Sequence, residues 1–205
     1  SGTTGVSKLV PFSNRMLVDV AAIKSAYLGM RETDTILVFS TLILITGLSN
    51  YMFPLLYRGG CSVIVNFDID NYLNLLETYQ PNWHHGSPAL MHAIYEFLRL
   101  NPVPASMKRL RFIRTGGAPF PPEMMRTLES WLSIPIISAF GMTEGLAGNI
   151  CNPLPPGVRK HDTVGLPVHG EAAVFSEDGV QLPPHEVGEL ALRSLYIFKG
   201  YLNPE

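Results

Sequence analysis

The chain has 205 residues, of which 46% are hydrophobic and 16% are charged, so it can bury at least one substantial core. The formal net charge of −2 gives no reason to expect nucleic acid or an acidic membrane as a partner, and no apolar run reaches the roughly 18 residues of a membrane span. Cys61 and Cys151 stand far apart, which argues against a disulfide framework or a thiolate metal site and favours a reducing cytoplasm.

The first eight residues, S-G-T-T-G-V-S-K, form a loop rich in glycine and hydroxyl groups. Gly2 and Gly5 let the backbone approach a ligand closely, and exposed N–H groups in such a loop can seat an anion. Three hydroxyl groups and one ammonium group add donors: Ser1, Thr3, Thr4 and Lys8. The composition predicts a phosphate cradle, although the spacing differs from the common G-x-x-x-x-G-K-S/T loop. A plain flexible loop is the alternative.

Residues 9–145 alternate between helical and strand patterns. Ser13, Asp68 and Ser87 are each placed to cap a helix. Helices are predicted at residues 13–28, 48–57 and 68–79 and after residues 87 and 122, and strands at residues 35–39, 61–66, 82–85, 110–114 and 134–138. This alternation predicts an α/β fold with a mostly parallel, doubly wound sheet and helices on both faces.

After about residue 146 the pattern changes to a proline-rich loop and short β-like segments. Segments 171–175 and 189–193 read as strands, with a turn at Asp178-Gly179 between them. We therefore divide the chain into an α/β subdomain at residues 1–146 and a small, incomplete β-rich subdomain at residues 147–205. A phosphate loop normally follows a strand, and none precedes Ser1, so we expect the chain to be truncated at both ends of a larger domain.

Three segments are predicted to meet at one edge of the sheet, where ligands bind in such folds. Residues 115–119 and 140–144 each follow a predicted strand, and residues 1–8 have the composition of a third such loop. Together they offer a flat backbone, an aromatic face at Phe140 and a carboxylate at Glu144. Carboxylate and phosphate oxygens are ligands for a hard cation, so this set suits a nucleoside triphosphate with Mg²⁺.

These segments resemble, in order, the motifs of the adenylate-forming superfamily of acyl-CoA synthetases, luciferases and peptide-synthetase adenylation domains. Residues 1–8 resemble S-G-T-T-G-x-P-K with Ser7 in place of proline, and residues 140–144 resemble Y-G-x-T-E with Phe140 in place of tyrosine. The G-G-A-P of residues 116–119 resembles the adenine-facing segment. Residues 188–194 with 200–205 resemble the later G-E-L and G-Y-x-x-x-P-E stretch, so the match covers the whole chain.

The resemblance implies a role for each matching residue. Thr3, Thr4 and Lys8 would hold the β- and γ-phosphates. Gly117, Ala118 and Phe140 would bracket the adenine. Thr143 would contact the α-phosphate and Glu144 would bind Mg²⁺, which makes Lys8, Thr143 and Glu144 the expected catalytic residues. The full expected nucleotide site comprises Ser1, Gly2, Thr3, Thr4, Gly5, Lys8, Gly116, Gly117, Ala118, Pro119, Phe140, Gly141, Met142 and Thr143.

The implied reaction is attack of a carboxylate on ATP to give an acyl-adenylate, followed by transfer of the acyl group to a thiol, commonly coenzyme A. An acyl-CoA synthetase is therefore expected. A domain that loads a carrier protein and a non-catalytic nucleotide-binding remnant are the alternatives. The family's later T-G-D segment and its C-terminal lysine do not occur in this chain, and Lys160 and Lys199 are read as surface lysines. We therefore expect the 205 residues alone to be inactive.

The segment at residues 41–47 indicates which kind of carboxylic acid would be activated. Adenylation domains for amino acids carry an aspartate at the position that Gly47 occupies, and acyl-CoA synthetases often carry an aromatic residue or histidine where Leu44 stands. An apolar lining favours a small-molecule carboxylic acid with an apolar tail, as in fatty acid metabolism. His84-His85 resembles a metal pair, but neighbours in a strand point to opposite faces, so a structural role is expected.

Overall fold

The computed structural model describes residues 7–39 and 42–202, so the expected phosphate-loop residues Ser1 to Gly5 lie outside the described residues. Within those ranges a seven-stranded sheet has the order β2-β1-β3-β4-β5-β6-β7, and β8 pairs with β9 in a second sheet. The strands are β1 (Thr35–Val38), β2 (Cys61–Ile64), β3 (Trp83–Gly86), β4 (Phe112–Gly116), β5 (Ile136–Phe140), β6 (Ile150–Cys151), β7 (Leu166–Pro167), β8 (Glu171–Phe175) and β9 (Glu189–Arg193). The first five strands of the large sheet run parallel, which confirms the predicted α/β fold.

A helix begins directly after each of the three predicted caps, Ser13, Asp68 and Ser87. The helices are α1 (Asn14–Tyr27), α2 (Ile45–Gly47), α3 (Phe53–Arg58), α4 (Ile69–Tyr79), α5 (Pro88–Leu100), α6 (Ala105–Lys108) and α7 (Pro122–Leu132). The side chain of Ser13 accepts a hydrogen bond from the Met16 N–H at 3.2 Å, and Ser87 accepts one from the Leu90 N–H at 3.3 Å. Each bond satisfies a donor that the first turn of a helix leaves unpaired. No helix in the described ranges is long and apolar enough to cross a membrane.

Several predicted boundaries are wrong. The strand expected at residues 134–138 is Ile136–Phe140, and the one expected at residues 61–66 ends at Ile64. The helix expected at residues 48–57 begins earlier, at Ile45, and passes through a π-helical turn at Leu48–Met52 before α3. The strand expected at residues 110–114 is shifted to Phe112–Gly116 because the unpredicted helix α6 precedes it. The Leu110 N–H donates to the carbonyl of Met107, so Leu110 belongs to the end of that helical turn and cannot open the strand.

The large sheet extends past residue 146. Strand β6 pairs antiparallel with β5, and β7 pairs antiparallel with β6. The two-residue length of each strand explains why neither stands out in the sequence. Strands β8 and β9 pair in the predicted antiparallel manner. The division of the chain at residue 146 stays a prediction.

The core lies in two layers, one on each face of the sheet. Alternate residues of β1 enter different layers: Leu37 packs with the layer of α4, α5 and α7, whereas Ile36 and Val38 pack with that of α3. The histidines of β3 obey the same alternation, as predicted. His84 lies 5.5 Å from the ring of Tyr72 in α4, and His85 lies 5.0 Å from the ring of Tyr51 on the other face. Both imidazoles therefore fill the core.

Three buried or partly buried histidines, His84, His85 and His169, make the stability of the fold depend on pH. Burial lowers the pKa of His84 to about 4 and that of His169 to about 4, and it lowers the pKa of His85 as well. Between about pH 6.5 and pH 4 the unfolded chain then binds protons that the folded chain excludes, so the folded state is stable above this window and loses stability as the pH falls through it. Within this window we expect His84→Gln to reduce the change in the free energy of unfolding with pH by at most about 1.4 kcal/mol per pH unit. Denaturant unfolding at pH 4 to 7 measures it, with exposed His92→Gln as control.

Candidate functional site

The carboxyl ends of β4 and β5 lie side by side. Gly116, the last residue of β4, pairs with Ala139 of β5. A Cβ atom at Gly116 would stand 2.6 Å from the Ala139 carbonyl oxygen, so no other residue fits there without moving the backbone. The segments that follow the two strands, residues 116–119 and 140–144, therefore leave the sheet at the same edge, as the sequence predicts.

A cleft of about 500 Å³ opens at this edge. It is lined by Thr115, Gly116, Gly117, Ala118, Pro119, Phe120, Pro122, Met125, Ser138, Ala139, Phe140, Gly141, His161, Asp162, Thr163 and Val164. Most of the expected adenine-facing residues thus share one cavity, whose walls are largely apolar. Phe140 remains 39% exposed, which leaves its ring accessible to a planar ligand.

Residues 161–164 form a wall that the motifs do not reveal. Asn152 holds this wall in place by donating hydrogen bonds to the carbonyls of Lys160 and Thr163 at 3.2 and 2.8 Å. Glu129 of α7 also contacts this wall, because its carboxylate is 2.8 Å from His161 Nε2. The same carboxylate accepts from the Ile136 N–H at 2.7 Å, which ties the wall to the start of β5.

Glu144 lies on a 3₁₀ turn, Thr143–Gly145, directly after the cleft. Asn149 closes this turn by accepting from the Met142 N–H at 3.1 Å and donating to the Gly145 carbonyl at 2.7 Å. The Glu144 carbonyl accepts from the Phe198 N–H at 2.8 Å. Its carboxylate accepts a 2.7 Å hydrogen bond from the Tyr201 hydroxyl through Oε1.

Lys8 contacts the same tyrosine. Its Nζ is 5.0 Å from the centroid of the Tyr201 ring, whose hydroxyl contacts Glu144. The Leu202 N–H also donates to the carbonyl of Leu9 at 3.0 Å. Two of the three expected catalytic residues are therefore joined through one tyrosine. Thr143 lies beside Glu144 in the chain, and the roles of all three stay predictions.

A buried lysine binds the backbone that follows the Glu144 turn. Lys24 of α1 is only 3% exposed, and its Nζ donates to the Asn50 side-chain oxygen and to the carbonyls of Leu146 and Ala147, each at 2.7 Å. Burial, and then the charge of Arg114, lower the pKa of Lys24, whereas three acceptors at this distance favour the ammonium form, because only it carries three N–H donors.

The carbonyls that Lys24 holds belong to strained backbone. Leu146 and Ala147 have φ angles of 61° and 55°, a conformation that costs a residue with a side chain roughly 1–2 kcal/mol. Gly148 continues the same conformation, and a Cβ there would stand 2.4 Å from the Asn50 oxygen. Lys24 and Asn50 therefore shape the loop that follows Glu144, and the motifs reveal neither residue.

The donor set limits how a cation can bind here. Among the described residues, no group of three or more histidine, cysteine, aspartate or glutamate side chains could hold a metal ion. One carboxylate directly after a cleft is compatible with Mg²⁺, which is commonly held by one or two carboxylates together with substrate phosphates. The side chains of Lys160 and Lys199 are exposed, as expected.

The chain is similar to known proteins over almost its whole length. The family described as AMP-binding enzyme matches residues 1–202. The sulfoacetate–CoA ligase of Cupriavidus necator is 31% identical over 204 residues, which are 98% of this chain and 39% of that protein. The oxalate–CoA ligase of Arabidopsis thaliana is 29% identical over 208 residues, which are 99% of this chain and 40% of that protein.

The solved structures show the same fold. ATP-bound MatB from Rhodopseudomonas palustris matches with a TM-score of 0.87 and 26% identity, over 98% of this chain and 39% of that one. The chain thus spans 39% to 40% of the length of these relatives. The family match over nearly every residue, together with the shared fold, confirms the resemblance read from the motifs: the chain belongs to the AMP-binding, adenylate-forming enzymes.

Proposed function

We propose that the protein containing this chain activates a carboxylic acid as an acyl-adenylate with ATP and transfers the acyl group to a thiol, with coenzyme A as the acceptor. The observation that carries the proposal is that Tyr201 contacts both Lys8 and Glu144, the latter on the turn that follows the cleft lined by residues 116–119 and Phe140. A carboxylate and an ammonium group thus share one tyrosine, and the carboxylate follows an apolar cleft of about 500 Å³ in the chain.

The proposed roles follow from the chemistry of each group. Phe140 and the flat backbone of residues 116–119 would hold the adenine, since the ring offers a stacking face and the glycines allow close approach. Lys8 would neutralise phosphate charge, and Glu144 would share Mg²⁺ with the phosphates. Such a site accelerates the reaction mainly by positioning and by charge stabilisation. Mg²⁺ supplies Lewis acidity at the phosphates when it is bound.

The acid is the least constrained part of the proposal. An apolar tail is expected from residues 41–47, whereas the relatives include enzymes named for sulfoacetate and oxalate. We therefore propose a small-molecule carboxylic acid as the substrate. The panel of acids described below determines whether its tail is apolar or polar. Coenzyme A is preferred to a carrier-protein thiol because the relatives are named as CoA ligases. Free Cys61 and Cys151 support a cytoplasmic location.

Pyrophosphate release by the full-length protein tests the proposal. The panel should contain fatty acids, aromatic acids and short dicarboxylic and sulfonated acids, each with ATP and Mg²⁺, with and without coenzyme A. We expect acid-dependent pyrophosphate release and an acyl-CoA product. Release of pyrophosphate without an acyl-CoA product points to a carrier-protein acceptor, and no release with any acid contradicts the proposal. The 205 residues alone lack the T-G-D segment and C-terminal lysine that the resemblance assigns to the reaction, and we expect no turnover from them.

The ammonium of Lys8 offers a direct test of the phosphate site. We expect Lys8→Ala to raise the KM for ATP by about 10- to 100-fold, because a hydrogen bond to a charged partner contributes roughly 1.5–3 kcal/mol. Steady-state pyrophosphate release at varied ATP measures the change. Exposed Lys108→Ala, on α6, is the matched control. An unchanged KM in Lys8→Ala would remove Lys8 from the site.

A further inference from the structure

A segment near the end of the described chain packs directly onto the Glu144 turn. The Phe198 N–H donates to the Glu144 carbonyl at 2.8 Å, and the rings of Phe198 and Tyr201 pack with their planes inclined at 56° and their centroids 4.7 Å apart. The Leu202 N–H donates to the carbonyl of Leu9 at 3.0 Å. Residues 198–202 therefore lie between the Glu144 turn and the segment that follows Lys8.

The Tyr201 hydroxyl restricts the Glu144 carboxylate. It donates to Oε1 at 2.7 Å, and acceptance by this carboxylate raises the pKa of Tyr201. A hydrogen bond to an ionised acceptor is stronger than one between neutral groups. A carboxylate has about four lone-pair positions, so a single donor on Oε1 orients the group and still leaves it lone pairs for a cation.

The ring of Tyr201 makes a cation–π contact with Lys8. The Lys8 Nζ stands 5.0 Å from the ring centroid, within the distance at which a cation is attracted to an aromatic face. One side chain thus contacts an anionic group through its hydroxyl and a cationic group through its ring. Phe198 fixes the ring in turn.

We propose that Tyr201 is a positioning residue for the nucleotide site, holding Glu144 ready for Mg²⁺ through its hydroxyl and Lys8 ready for the phosphates through its ring. This inference rests on the proposed function, because it needs Glu144 and Lys8 to act on a magnesium nucleotide. The two contacts use different parts of Tyr201, so they can be removed separately. Tyr201→Phe removes the hydroxyl and keeps the ring, and Tyr201→Leu removes both.

Direct binding of ATP to the full-length protein by calorimetry, at varied Mg²⁺ concentrations and without acid, is the experiment. For Tyr201→Phe we expect the Mg²⁺ concentration that gives half-maximal ATP affinity to rise by about tenfold, the low end of the effect of removing an outer partner of a metal ligand. ATP affinity at saturating Mg²⁺ should stay within about twofold. For Tyr201→Leu we expect ATP affinity at saturating Mg²⁺ to fall as well.

Two comparisons separate the possible outcomes. Thermal unfolding should be nearly unchanged in Tyr201→Phe, because the hydroxyl is removed from a partly exposed side chain. An unchanged Mg²⁺ requirement in Tyr201→Phe, with a raised requirement in Glu144→Gln, overturns the role of Tyr201 and leaves the proposed function standing. An unchanged requirement in both variants overturns the metal-binding role of Glu144 and the inference with it.

Discussion

Glu144→Gln in the full-length protein is expected to slow Mg²⁺-dependent adenylation by roughly 100-fold or more, because a metal ion at the phosphates contributes several kcal/mol of charge stabilisation in the transition state. The amide oxygen of glutamine can still approach a cation, but it carries no net charge and is a weaker ligand for Mg²⁺. It can also still accept the hydrogen bond of Tyr201, so the fold of the turn should persist. Pyrophosphate release at varied Mg²⁺ measures both the rate and the metal requirement.

Glu123→Gln is the matched control for this variant. Glu123 is exposed on α7 and pairs with Arg126 at 2.8 Å. Surface ion pairs of this kind contribute about 0–1 kcal/mol, so neither stability nor rate should change appreciably. A Glu144→Gln protein with the wild-type rate and the wild-type Mg²⁺ requirement would show that the cation is held elsewhere.

The elements that could be predicted from the sequence are those specified by local chemistry. Ser13 and Ser87 each stand directly before a helical pattern, and each accepts the hydrogen bond expected of a cap. The start of β4 could not be predicted in this way. It depends on the short helix α6, which follows Pro104 and whose final turn takes in Leu110, a residue apolar enough to read as strand.

The residues that share the cleft with Phe140 could be predicted because each of their segments is continuous in sequence. Residues 116–119 and 140–144 each carry several informative residues within one loop, and parallel neighbouring strands bring the two loops to one edge. Residues 161–164 form the third wall without such a motif. Their position depends on Asn152 and Glu129, whose contacts span 8 to 32 residues of sequence.

Lys24 illustrates a signal that was present but ambiguous. It occurs at helical spacing with Leu17, Val20 and Ala21 on the apolar face of α1, where a charged residue is unusual. Its partners could not be found from the sequence, since Leu146 and Ala147 lie more than 120 residues away. Lysine on an apolar helix face is thus a reason to look for a buried polar contact, although the pattern alone does not say with what.

Lys24→Met is expected to lower the free energy of unfolding by roughly 2–4 kcal/mol, since each buried group left without a partner costs about 1–3 kcal/mol. Methionine keeps the length and apolar stem of the side chain but removes its donors. The Leu146 carbonyl keeps the Ser49 hydroxyl as a donor, whereas the Ala147 carbonyl and the Asn50 oxygen lose the ammonium. Relief of repulsion between Lys24 and Arg114 opposes this loss and keeps the estimate below the sum of the individual costs.

The same substitution is expected to reduce activity by more than the loss of folded protein explains. The carbonyls released by Lys24→Met belong to the left-handed backbone directly after the Glu144 turn. Without the ammonium this backbone is no longer held, so the turn should lose its fixed position relative to the cleft. Denaturant unfolding and pyrophosphate release, measured under conditions in which the variant is fully folded, separate the two effects. Lys160→Met is the control, because the Lys160 side chain is exposed and only its backbone takes part in the contacts with Asn152. A Lys24→Met protein whose stability lies within about 0.5 kcal/mol of the wild type, the range of neutral surface substitutions, would show that the buried ammonium does not hold this loop.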